Sequence, residues 1–275
     1  MKKPTLAALL LLAALPATRP AGAAEDLRLD LTFAIHATGL HLMTLDANSI
    51  IAGDRYTMRT RMNTVGIADW LTRFTQDAES TGILKDAKPT PTRFLTFSDG
   101  RFGRRVIELL WNDTGAVRVA QLDPPLGAED RTPILPETLP GAVDPATANM
   151  LRAMTATTHA ACTGSSPVFD GRRRYNLHFT AAGAVELPPS SYSAYAGPAQ
   201  KCDVRFEAVG GYVRKEMENT RLAESRAITI WLAEGVDRRA HIPVRLEVES
   251  GWGPLMIHLT RAVIDGQVKL QKVAN

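Results

Sequence analysis

Leu27-Arg28-Leu29-Asp30-Leu31-Thr32-Phe33-Ala34-Ile35-His36 decides the fold. Leu27, Leu29, Leu31, Phe33 and Ile35 fall on one side, against Arg28, Asp30, Thr32 and His36 on the other. Side chains alternate across a strand, so this period of two predicts a strand with one buried face. Outward from it the pattern repeats. Met43, Leu45 and Ala47 oppose Thr44, Asp46 and Asn48 after a turn at Gly39. Tyr56, Met58, Thr60 and Met62 oppose Arg55, Thr57, Arg59 and Arg61 after Gly53-Asp54. Consecutive one-sided strands joined by short turns predict an antiparallel meander.

Val65 to Leu71 breaks the alternation and predicts a short helical turn or an apolar loop tip carrying Trp70. Strand-like runs resume near 72–84, 92–98 and 102–111, with a hairpin signal at Asp99-Gly100. Five prolines between 123 and 143 exclude regular structure there. Asp144-Pro145 then opens a helix, because Asp caps well and Pro is tolerated in the first turn. Ala148, Met150, Leu151, Ala153 and Met154 extend it as a stripe to about His159. Strands return around Tyr175–Phe179, Cys202–Phe206, Ile228–Leu232, Ile242–Val248 and Leu255–Leu259. The fold expected is mainly β: a large curved sheet, half-barrel or open barrel, with one helix near 144–159. The expected organisation is one β-rich domain over 25–275, with halves 25–122 and 160–275 joined by 123–159.

The first residues read as a secretory signal: Lys2-Lys3, an apolar run from Leu6 to Leu15, and the small-residue run Ala21-Gly22-Ala23-Ala24. Ten apolar residues are half of the ~20 that a spanning helix needs. Cleavage is expected near Ala23 or Ala24, with a periplasmic location and no span in the mature chain. Removing Lys2, Lys3 and Arg19 leaves 29 basic residues of 32, against 29 acidic ones. A neutral mature chain, despite a whole-chain pI near 8.9, gives no reason to invoke nucleic acid. Cys162 and Cys202 are the two cysteines. An even count in an exported chain predicts a disulfide, and C-x-x-C redox spacing is absent.

Chemistry-bearing motifs are scarce. The six histidines lack the i, i+4 spacing of a zinc pair, and His178 and His258 read as solvated on polar strand faces. No G-x-S-x-G elbow occurs, Gly164-Ser165-Ser166 reads as a turn, and no nucleotide-binding glycine motif appears. No catalytic residue, cofactor or metal is therefore expected. Two stretches remain as binding candidates. Arg172-Arg173-Arg174 with Tyr192 and Tyr195 suggest an anion grip, although successive arginines on a strand point to opposite faces. Trp70, between Ile67 and Leu71, reads as core packing or as an apolar tip that touches a membrane or a client.

The signal, the hairpin Phe169-Asp170-Gly171-Arg172-Arg173-Arg174-Tyr175 and the segment Tyr192-Ser193-x-Tyr195-x-Gly197-Pro198-x-x-x-Cys202 resemble an exported proteobacterial family catalogued as domain of unknown function 3108. The resemblance extends to the turn at Gly39 and the Gly66/Trp70 turn. It implies a periplasmic protein with a wide antiparallel sheet, and it transfers no catalytic residue. The function expected is non-enzymatic binding of an apolar or lipid-like molecule in envelope maintenance, with Met43, Met58 and Met62 available to line an adaptable surface. The alternatives are an adaptor module that binds another envelope protein through a sheet edge or the Pro-rich loop, and a hydrolase with a site assembled from distant residues.

Overall fold

A computed structural model describes residues 26–85, 88–101, 103–153, 158–215, 227–249 and 253–273. The predicted signal, its cleavage site and Met154 lie outside them. The strands are β1 (Leu27–Ala37), β2 (Leu40–Ala52), β3 (Arg55–Thr64), β4 (Thr75–Lys85), β5 (Lys88–Asp99), β6 (Arg105–Trp111), β7 (Val117–Asp123), β8 (Gly164–Phe169), β9 (Arg174–Leu187), β10 (Gly197–Gly210), β11 (Ala227–Ala233), β12 (Ile242–Val248), β13 (Leu255–Ile264) and β14 (Gln267–Gln271). Helix α1 (Gly66–Thr72) joins β3 to β4; α2 (Pro145–Ala153) and α3 (Thr158–Ala161) precede β8.

All the strands form one sheet in the order β7-β6-β5-β4-β3-β2-β1-β13-β12-β11-β10-β9-β8, with β14 beside β13. Two meanders thus meet where β1 pairs antiparallel with β13, Leu31 opposite Ala262 and Ile35 opposite Ile257. Leu27, Leu29, Leu31 and Phe33 join Tyr56 of β3, Phe94 of β5, Leu109 and Trp111 of β6, Val244 of β12 and Leu259 of β13 in one buried cluster. Residues so far apart along the sheet can share a core only if the sheet curls. Its two margins approach without a ladder: a Cβ on Gly171, in the β8–β9 turn, would stand 2.5 Å from the Ile107 side chain on β6, and Arg172 Nη2 donates to the Pro124 carbonyl. The result is a barrel-like curl with an open seam.

The linker before β8 fills the inside. Trp111 Nε1 donates to the Ala142 carbonyl at 3.0 Å, and Val143 bridges to Val168. Asp144 caps α2 as predicted, its Oδ1 accepting from the amides of Ala146 and Thr147 at 2.9 Å. Its other oxygen accepts from the hydroxyls of Ser80 and Thr147, and the latter also meets Tyr56. Gly82 makes room for this cluster, because a Cβ there would stand 2.5 Å from the Tyr56 ring. Cys162 and Cys202 form a disulfide, buried with Ala161 and Leu232.

The predicted helix near 144–159 is present as α2 and α3, residues 154–157 lying outside the described ones. Other expectations need correction. Gly164-Ser165-Ser166 is not a turn but the start of β8, with Ser166 buried opposite Leu177. Pro167 is tolerated because β8 is an edge strand, which has a side with no ladder to donate to. Met58 lies in the core, 8% exposed, rather than on an adaptable surface. His258 is not solvated on a polar face: it and His36 are each 8% exposed, because the β9–β10 connection folds back and lays Tyr192 against both rings.

Candidate functional site

In an antiparallel meander alternate connections emerge at the same end. The register therefore gathers the β1–β2 turn, α1, the β5–β6 turn, the β8–β9 turn and the segment after β10 at one end of the barrel. Trp70 projects there, 76% exposed, with Ile67 at 61%, Leu71 at 46% and Leu40 of the β1–β2 turn at 58%. Core packing of Trp70 is thereby excluded. The helix buries none of its residues, yet it is held firmly from below. The Val65 amide donates to Leu42, the Thr64 hydroxyl to Asp69, the Arg73 amide to Asp69 and the Arg101 amide to Thr72. Arg73 ends the helix in the left-handed region at φ 46°. Four apolar side chains are thus exposed together on a turn held by hydrogen bonds. Arg73 and Arg101 flank the tip, lining one groove with Trp70 and Leu71.

The hairpin arginines part company. Arg174 is buried, with Nε donating to the Thr138 carbonyl at 2.7 Å and Nη1 to Asn176 Oδ1 at 2.8 Å, so it anchors the linker. Tyr195 is likewise consumed, its hydroxyl donating to the Pro198 carbonyl. Arg172 and Arg173 stay at the seam, their amides donating to Asp170 Oδ1. The expected company of Tyr192 and Tyr195 is not there: the tyrosine beside these arginines is Tyr212, with the Arg173 guanidinium 5.6 Å from its ring centre. Arg131 joins them, donating through Nη1 to the Gly211 carbonyl. Burial and then the nearby Arg105 and Arg131 charges pull the Arg172 pKa down, while Asp170 pulls it up. Burial raises the pKa of Tyr212.

Tyr192 belongs to a third group. Its ring lies 5.0 Å from that of His36 and 5.7 Å from that of His258, and His36 stacks on His41 at 5.1 Å. Burial, followed by the charges of Arg245, His36 and Lys272, lowers the His258 pKa to about 4. Burial and His41 lower that of His36. Among the described residues no group of three His, Cys, Asp or Glu side chains is placed to hold a metal ion.

A groove of about 560 Å³ lies at the tip, lined by Trp70, Leu71, Arg73 and Arg101, and two more lie elsewhere. One of about 590 Å³ crosses the charged face of β1–β5, where Arg59 pairs with Glu79 and Arg61 with Asp77. The other, about 460 Å³, is walled by Pro89, Pro91, Trp111, Pro136, Leu139 and Pro140. Sequence spacing gave no warning of Arg105, Arg131 or Tyr212.

These features define a class: a barrel-like antiparallel sheet with an aromatic tip and a basic seam at one end. The chain belongs to the family described as Protein of unknown function (DUF3108), which matches residues 30–260. A similar solved structure is the crystal structure of a beta-barrel-like protein of domain of unknown function DUF1849 from Brucella abortus. It is 11% identical, covers 87% of this chain and 97% of its own, and has a TM-score of 0.48. No curated protein matches the chain. Among the described residues no helix is long and apolar enough to cross a membrane.

Proposed function

We propose that the protein is exported to the periplasm and works there without catalysis, engaging lipid through the end of the barrel that carries Trp70. The observation that carries this reading is the tip itself: Trp70, Ile67, Leu71 and Leu40 exposed together on a rigid support. An indole is apolar over its body and polar at its N–H, which suits it to the boundary between acyl chains and headgroups. Arg73 and Arg101 beside the tip favour an anionic surface, at about 1 kcal/mol for each charge that reaches it. The disulfide supports an oxidising compartment.

Co-sedimentation of the mature, disulfide-bonded protein with phosphatidylglycerol vesicles tests the proposal. Wild type is expected to pellet with them and to stay largely in solution with phosphatidylcholine vesicles. A variant carrying Ile67→Ser, Trp70→Ser and Leu71→Ser should bind at least ~10-fold more weakly while keeping its melting temperature, since burying apolar surface drives such binding. Equal pelleting of the variant and wild type would refute the assignment of the tip.

A further inference from the structure

The seam carries an inference of its own, independent of the tip. Four guanidiniums from three separate stretches of the chain are brought together there, close enough for the Arg105, Arg131 and Arg173 charges to act on Arg172. Arg105 opens β6; Arg131 comes from the Pro-rich linker and bridges to Val213; Arg172 and Arg173 form the β8–β9 turn. The packing that assembles them is tight, because a Cβ on Gly211 would stand 2.0 Å from the Arg172 carbonyl. Like charges so placed repel, and a fold keeps them together at a cost in stability unless something offsets it. The acids present do so only in part. Asp170 Oδ1 is committed to two backbone amides, and Glu129 reaches Arg131 at 3.4 Å from an exposed position. Arg131 Nε, Arg172 Nε and the Tyr212 hydroxyl are buried without a hydrogen-bond partner among the described residues. Buried donors normally find acceptors, so these three orphans, two of them on the clustered arginines themselves, point to a ligand rich in acceptor oxygens.

We propose that Arg105, Arg131, Arg172, Arg173 and Tyr212 form a binding site for a phosphoryl group. A carboxylate offers two oxygens and one charge, too little for this set. A phosphoryl group offers three or more oxygens and up to two charges, and guanidinium forks match its geometry. Arg173, stacked on Tyr212, serves as the outer wall, while Arg131 and Arg172, held through their Nη atoms by the Gly211 and Pro124 carbonyls, present their Nε groups in fixed positions. Arg174 takes no part in the site.

Calorimetric titration of the mature, disulfide-bonded protein tests this with two probes: inorganic phosphate, and dihexanoyl phosphatidylglycerol below its micellar concentration. Binding of both, competing with each other, is expected if the site recognises the phosphoryl group itself; binding of the lipid alone assigns the source to a headgroup, and of phosphate alone to the free ion. Arg172→Gln should weaken whichever probe binds by at least ~10-fold, as loss of a charge-assisted contact does. Arg105→Gln, at an exposed position that folding tolerates, and Tyr212→Phe, which keeps the ring, should each weaken it several-fold and leave the melting temperature unchanged. Absence of binding by both probes, or binding that all three variants retain at full strength, overturns the proposal. Because neither probe forms a bilayer, a failure here is distinct from a failure of vesicle docking by the tip.

Discussion

The Asp144 carboxylate is buried, yet it accepts hydrogen bonds from two amides and two hydroxyls and so ties α2 to β4. Removing it strands the buried Ala146 and Thr147 amides and leaves the Ser80 and Thr147 hydroxyls only each other and Tyr56 as partners. Asp144→Ala is expected to lower unfolding free energy by about 3 kcal/mol, measured as a shift in the urea midpoint at constant m-value. His258 gives a second prediction at this scale. Its folded pKa of about 4 lies below the unfolded value near 6.5, so between those values the unfolded chain holds more protons and stability falls as pH falls. His36, Arg245, Lys272 and Tyr192 face this ring, and none supplies the negative charge that would reverse the sign. Wild type should therefore lose on the order of 1–2 kcal/mol more than His258→Gln between pH 7.5 and pH 5; identical pH profiles in urea denaturation would contradict the account. Among residues, Asp144 as a cap was legible because a cap is read from its immediate neighbours. The Arg105–Arg131–Arg172–Tyr212 group was not, because closure of the curl, not local spacing, makes them neighbours.

At the scale of elements, strands with one buried face declared themselves. In β1 the alternation of Leu and polar residues matches its burial, Leu27, Leu29 and Leu31 within. The strand β7 escaped notice because it is an edge with five of its seven residues exposed, Val119 at 41% among them, so that only Val117 and Leu122 lean on the core and the faces show little contrast. Likewise β14, mostly exposed, offers little alternation of burial to read. At seven residues, α1 is too short for helical periodicity; its sequence showed only that the strand pattern had stopped. The pair Cys162–Cys202 joins the residue after α3 to β10 and closes a 40-residue separation. The chain-entropy account values that constraint at about 4 kcal/mol. A Cys162→Ala, Cys202→Ala double variant should accordingly show a thermal midpoint lower by roughly 8–15 °C, and an unchanged midpoint would mean that the bond constrains little that packing does not already hold.

For the whole molecule, one core cluster draws on residues from 27 to 264 and therefore on both meanders. We infer that the two halves unfold together: circular dichroism and tryptophan fluorescence should report coincident urea transitions, and separate midpoints would divide the chain into two units. The same curl gives the molecule its polarity, collecting the apolar tip and the seam arginines at one end although the mature sequence is expected to be neutral overall. The direct test of that polarity uses Trp70 as its own probe. Trp111 and Trp231 are buried at 8% exposure each, and Trp252, which lies outside the described residues, is replaced by Phe in both proteins, so the difference between Trp252→Phe and the Trp70→Phe, Trp252→Phe double variant isolates the tip. In phosphatidylglycerol vesicles containing brominated lipid, the fluorescence of Trp252→Phe should be quenched and that of the double variant should not. Equal quenching of the two, or none in either, would contradict a lipid-engaging tip.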